Sequence, residues 1–152
     1  MVFLYFEDYQ IGQVFDVAPI TIAEADIISF AETFDPRPFH LSHEAGQATR
    51  FSGLIASGLH TLTAAWGAWV KSPENKDGTI CGIGIDQLRW LAPVYPGDAL
   101  SSRLTITDKK PSTKGQSGTV YANYATQNQD GQPVLTMDVL VLVACRPQAS
   151  LQ

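Results

Sequence analysis

The chain has 152 residues, 45% of them hydrophobic and 16% charged, with a formal net charge of -5. That suits one compact domain over 1–152 with a sizeable core and excludes a disordered chain. No Lys/Arg run marks a nucleic-acid footprint, and no apolar stretch reaches membrane-span length, so the expected partner is a small molecule, with no nucleic acid and no membrane.

The opening Met1-Val2-Phe3-Leu4-Tyr5-Phe6 is apolar but short, lacks a basic n-region and meets Glu7 and Asp8 directly, which is not the pattern of a signal peptide. After a short strand near Gln13 to Ile20, Thr21-Ile22-Ala23-Glu24 has the form of a capping box, predicting a helix with Thr21 as N-cap. Ile27, Phe30, Ala31 and Phe34 follow at helical spacing and give it an apolar face until Pro36 stops it. Pro36 and Pro38 then push Asp35 and Arg37 toward extended geometry, predicting a stiff arch. Beyond it Ser42 can cap a short helical piece carrying Ala45 and Ala48.

Ser57 is the expected N-cap of a second long helix running to Lys71. Leu59, Leu62, Trp66, Trp69 and Val70 supply bulk, while Ala64, Ala65, Gly67 and Ala68 keep the other faces small. Apolar nearly all round, it should be buried on most sides with a sheet wrapped around it. Residues 73–78 form a polar loop. Strands follow near 79–92, 98–110, 116–128 and 132–145, joined by short turns that imply antiparallel neighbours. Gly82 and Gly84 should ease curvature or close approach in the first of these. The resulting class is α+β. Cys81 and Cys145 lie in apolar strand-like runs and read as buried free thiols in a reducing cytoplasm.

Chemistry concentrates at Asp35-Pro36-Arg37-Pro38-Phe39-His40. A carboxylate and an imidazole five positions apart on a stiff segment can converge on a bound water and move its protons, although an Asp at a helix end with a surface His nearby is also an ordinary pattern. Ser57-Gly58 opens the second helix with unpaired N–H groups and the positive end of its dipole, and glycine lets a ligand oxygen approach the backbone. Those are the ingredients of an oxyanion hole; the ordinary alternative is that Ser57 only caps and Gly58 only packs. His40 and His43 have a spacing compatible with a metal, but no third ligand stands out, so no metal is expected. His60 reads as a buried, hydrogen-bonded histidine and Arg37 as a local ion-pair residue. Trp66 and Trp69 are core, with Trp66 placed to wall an acyl pocket.

The runs 34–40 and 53–61, Phe-Asp-Pro-Arg-Pro-Phe-His and Gly-Leu-Ile-Ala-Ser-Gly-Leu-His-Thr, together with Leu88-Arg89-Trp90-Leu91-Ala92-Pro93-Val94-Tyr95-Pro96-Gly97-Asp98, resemble the MaoC-like dehydratases, relatives of the (R)-specific enoyl-CoA hydratases. The resemblance covers nearly the whole chain. It implies a hot-dog fold, an antiparallel sheet curled around one long helix, and a hydratase/dehydratase acting on 2-enoyl-CoA and 3-hydroxyacyl-CoA thioesters without a cofactor. It further implies that Asp35 and His40 form the catalytic dyad, that the Gly58 amide binds the thioester oxygen, and that Ser57, Ala56 and Phe39 contact substrate. Phe34 and Arg37 stand where the family usually has Gly and Asn. A homodimer or higher homo-oligomer is expected. A hot-dog acyl-CoA thioesterase and a non-catalytic acyl-CoA-binding subunit are the competing readings.

Overall fold

Strand pairing decides where the first helix begins. In the computed structural model, which describes residues 4–75 and 78–149, β1 (Val14–Thr21) runs through Thr21, which pairs with Ala99, and the Ile22 N–H donates to the Asp98 carbonyl. Thr21 is thereby held in the sheet and cannot cap. The helix α1 (Glu24–Phe34) starts later, with Ala23 as its N-cap and no side-chain cap bond, which corrects the capping-box expectation. Met1–Phe3 of the apolar start and Lys76 and Asp77 of the expected polar loop lie outside the described residues.

Only Ile27 and Ala31 of α1 are fully buried, and Phe34, expected on its apolar face, is 67% exposed. The arch beyond is not extended throughout. Arg37 is extended, as a residue before proline should be, but Pro38–His40 closes into one 3-10 turn with Pro38 pre-organised at its start. Ser42 caps α2 (His43–Gln47) as expected, its hydroxyl accepting from the Ala45 N–H at 3.2 Å. Ser57 likewise caps α3 (Gly58–Val70) by accepting from the Leu59 N–H at 3.2 Å.

The strands β2 (Thr79–Trp90), β3 (Ala99–Pro111), β4 (Ser117–Gln127) and β5 (Pro133–Ala144) join β1 in one antiparallel sheet of order β1-β3-β4-β5-β2. Thr61, Ala65 and Trp69, four apart, form the stripe that α3 buries against it. Tyr124, fully buried in β4, donates its phenol to the Ala65 carbonyl at 2.6 Å, and burial pushes its pKa up to about 12. The long helix on a curved antiparallel sheet is the α+β hot-dog arrangement.

Burial of α3 is less complete than its composition implies, since Leu59 and Val70 are 43% and 50% exposed. The strand β2 is an outer strand, open along one edge, with Ile80, Ile83 and Ile85 exposed. Its pairing with β5 shifts register between Gly82 and Gly84, consistent with the curvature expected of those glycines. The same position exposes Cys81, which corrects the buried-thiol expectation; both cysteines are free, with Cys145 half-buried.

Gly46 shows where backbones meet most tightly, because a Cβ there would sit 2.2 Å from the Gly53 carbonyl oxygen, whereas nothing lies within 4 Å of one at Gly84. Gly46→Ala should cost about 1–3 kcal/mol in urea unfolding through overpacking, and Gly84→Ala should leave stability near wild type or above it. Equal midpoints for the two variants would contradict this packing.

His60, in the first turn of α3, stacks on Phe30 of α1 with ring centroids 4.8 Å apart. Its Nδ1 is buried without a hydrogen-bond partner, correcting the expected hydrogen-bonded histidine. Burial lowers its pKa below the ordinary 6.5, with Asp26 opposing. The folded chain therefore binds this proton less readily than the unfolded chain. The contribution to stability is intact above 6.5 and is lost as pH falls below that value toward the lowered native pKa. Urea melts at about pH 7.5 and 5.5 should show a smaller acid-side loss in His60→Phe, which keeps the ring stack but cannot titrate.

Candidate active site

Asp35 stands at the exit of α1 and Ser57 at the entry of α3, and the two meet. The Ser57 hydroxyl donates to Asp35 Oδ2 at 2.7 Å while accepting the Leu59 N–H, so a side chain only 1% exposed uses both of its capacities. The other carboxylate oxygen, Oδ1, accepts from Arg37 Nε at 3.2 Å.

His40, 5% exposed, closes the 3-10 turn with its ring held from two sides. Nδ1–H donates to the Ile55 carbonyl at 2.7 Å, and Phe39 packs edge-on with ring centroids 4.5 Å apart. Because a carbonyl can only accept, Nδ1 carries a proton; in the neutral tautomer that leaves, the lone pair of Nε2 faces Asp35 Oδ2, 3.5 Å away. A lone pair facing a carboxylate oxygen is unfavourable unless something between them donates to both. A water does so with its two hydrogens; protonating the ring is the alternative.

Loop 53–57 threads between these elements. The Ile55 N–H donates to the Phe39 carbonyl at 3.2 Å while the Ile55 carbonyl holds His40, and the Ala56 N–H donates to the Val94 carbonyl at 2.8 Å. Asp35, His40, Ala56, Ser57 and Gly58 line one crevice of about 590 Å³, large enough for an acyl thioester end. Gly58 is the first residue of α3, where backbone N–H groups have no intrahelical acceptor and the helix dipole is positive.

Two expected contacts lie elsewhere. Phe39 braces His40 from behind and does not line the crevice. Trp66, two turns along α3, packs edge-on against Tyr124 at 5.6 Å and lines separate apolar cavities beside the sheet. The helix axis carries it away from the Gly58 end, so it does not wall this crevice.

Trp90, at the end of β2, does. Its indole N–H donates to the Gly58 carbonyl at 2.8 Å, and its ring lies 2.5 Å from where a Gly58 Cβ would be. Glycine at 58 therefore makes room for the indole, a role different from the close ligand approach expected of it. Ile55 and Trp90 are the residues that sequence reasoning left without a role. A backbone carbonyl leaves no residue-type signal, and the only cue for Trp90 was its place in the run 88–98 that resembles the family's strand and turn.

His43 pairs with Glu24 on the surface, away from His40. Among the described residues no three His, Cys, Asp or Glu side chains cluster as a metal would need, and no helix is long and apolar enough to cross a membrane.

The MaoC like domain model matches residues 7–128. A MaoC-like dehydratase from Rhodospirillum rubrum superimposes with a TM-score of 0.89 at 36% identity, covering 95% of this chain and 99% of that one. The (R)-specific enoyl-CoA hydratase of Rhodospirillum rubrum is 33% identical over 72% of this chain and 74% of its own length. The mesaconyl-CoA hydratase of Cereibacter sphaeroides is 28% identical over 96% of this chain, which spans only 43% of that longer protein. With the matched segment taking in both helices of the crevice and most of the sheet, the chain belongs to the MaoC-like dehydratase family.

Proposed function

We propose that this chain, as a single hot-dog domain over 1–152, hydrates 2-enoyl-CoA thioesters and dehydrates 3-hydroxyacyl-CoA thioesters. The observation that carries the reading is the 3.5 Å separation of Asp35 Oδ2 and His40 Nε2 on the crevice that begins α3. Hydratase activity in relatives supports it.

The thioester carbonyl oxygen accepts from the Gly58 N–H, where the positive helix end stabilises the enolate-like charge that develops during addition. Substrate at that point brings the C2–C3 double bond over the dyad. A water donating to both Asp35 and His40 has its oxygen turned toward C3, poised for attack. As the C3–O bond forms, the dyad accepts one of its protons, and C2 receives a proton from the dyad on the same face. Hydrogen is added at C2 and hydroxyl at C3, and the dyad ends as it began. Ser57 fixes the carboxylate, and Ala56 forms crevice wall beside it. Dehydration is the reverse path.

The exposed isoleucines of the open β2 edge, together with the half-exposed flank of α3, are the surface through which two copies join as a homodimer. The setting is a reducing cytoplasm, in which the exposed Cys81 thiol stays free.

Crotonyl-CoA should lose its enoyl absorbance when mixed with the protein, whereas release of free thiol would mark a thioesterase and no change a binder. Asp35→Asn and His40→Ala should each lower the hydration rate at least about 100-fold with circular dichroism unchanged. Wild-type rates in both variants would sink the dyad. Ser57→Ala should cost about 1 kcal/mol in stability from the lost cap, and lower turnover further than that loss explains by freeing the carboxylate.

A further inference from the structure

The crevice is positively charged in a chain that is not. The protein carries 15 Asp and Glu against 10 Lys and Arg, yet among the described residues Asp35 is the one carboxylate on the crevice lining while two guanidinium groups, Arg37 and Arg50, share it. Arg37 satisfies Asp35 through Nε alone, leaving the terminal nitrogens of its fork for another acceptor. Arg50 makes no ion pair among the described residues and lies over the Phe51 ring at 5.4 Å.

The segment bearing Arg50 is fixed. Thr49 Oγ1 donates to the Gly46 carbonyl at 2.7 Å and accepts the Phe51 N–H at 3.2 Å, and the Phe51 carbonyl accepts the Tyr95 hydroxyl at 2.8 Å. Ser52 follows at a φ of 56°, an uncommon left-handed turn for a residue other than glycine. Arg50 is thus carried to the crevice on a braced turn.

Beyond the Arg37 Nε bond that holds Asp35 Oδ1, the proposed chemistry at the reacting carbons uses neither guanidinium. The thioester oxygen has the helix end and the water has the dyad. We propose that Arg37, backed by Arg50, forms an anion subsite for a carboxylate borne by the acyl group, so that the substrate class is the monothioester of an unsaturated dicarboxylic acid. The inference rests on the hydratase reading for where C3 lies. Arg37 is bonded to Asp35, so an anion on its free fork is close to C3. The phosphates of CoA are separated from the thioester by the whole pantetheine arm, whereas a carboxylate on the acyl group is carried next to C3. A planar carboxylate matches the guanidinium fork and gains charge-assisted hydrogen bonds, whereas a neutral alkyl tail leaves both arginines facing water. The side chain of Arg37 is 68% exposed, so solvent limits the discrimination.

Calorimetric titration of the full chain with saturated, unreactive thioesters tests this directly. Succinyl-pantetheine should bind roughly tenfold more tightly than butyryl-pantetheine, and Arg37→Gln and Arg50→Gln should each reduce that ratio, with Arg37→Gln bringing it close to unity. Equal wild-type affinities, or a ratio that both variants leave intact, would overturn the subsite. So would variants that weaken only the CoA forms of both acids, since the arginines would then serve the carrier phosphates. Binding of neither thioester to wild-type protein would remove the crevice as an acyl site altogether. No probe contains a reactive double bond, so failure to hydrate crotonyl-CoA defeats the hydratase reading while this ratio is still read independently.

Discussion

The hydrogen bond from Ser57 to Asp35 joins the end of one helix to the start of another, and the geometry of the crevice depends on it. A carboxylate at a helix exit would ordinarily swing into water. Here Oδ2 is fixed by a hydroxyl that is itself immobilised as the cap of α3, and Oδ1 by Arg37. The start of α3, where Ser57 caps the helix, lies beside the same carboxylate. His40 is fixed with comparable economy. Ile55 gives its carbonyl to the imidazole and its N–H to the neighbouring Phe39 carbonyl, so one residue of loop 53–57 sets both the tautomer of the ring and the position of the backbone that carries it.

The second constraint is the indole of Trp90. It fills the space that a side chain at position 58 would take and bonds to the Gly58 carbonyl, so the first turn of α3 is gripped on its outer side through the carbonyl and not through the Gly58 N–H. A methyl group at 58 would force out an aromatic ring that walls the crevice, which is a stronger reason for glycine than freedom of φ. The helix can begin at a residue with low helix propensity because Ser57 caps it and Trp90 covers it.

Much of this was legible in the sequence where the signal is local. Ser42 and Ser57 cap as their positions predict, Pro36 ends α1 at Asp35, and the four later strands fall within two residues of their expected ends, because turn residues and alternation act over a few neighbours. Thr21 failed for the opposite reason: a distant strand holds it in the ladder and outcompetes a local cap. Trp66 was misplaced because bulk on an apolar helix does not reveal which end of that helix meets ligand. His60 and Ile55 escaped because an unpartnered ring nitrogen and a backbone carbonyl are properties of packing. Asp35 and His40 could be picked out as a pair, but their separation depends on loop 53–57, which the spacing of the two residues does not contain.

The exposure of β2 connects the sheet edge to the chemistry. Three shifts of register against β5 twist this strand, and its isoleucines lie open where a covered strand would bury them. Its last residue is Trp90, and the next N–H, that of Leu91, donates to the Val134 carbonyl at 2.9 Å before the chain turns past Pro93 into the crevice wall. The edge strand is thus joined to the start of α3 through the bond from the Trp90 indole to the Gly58 carbonyl. On the homodimer reading, covering that edge with a second copy does more than remove apolar surface from water: it fixes the strand that positions Trp90. The Gly58 end of α3 is then tied, through the indole, to the subunit boundary.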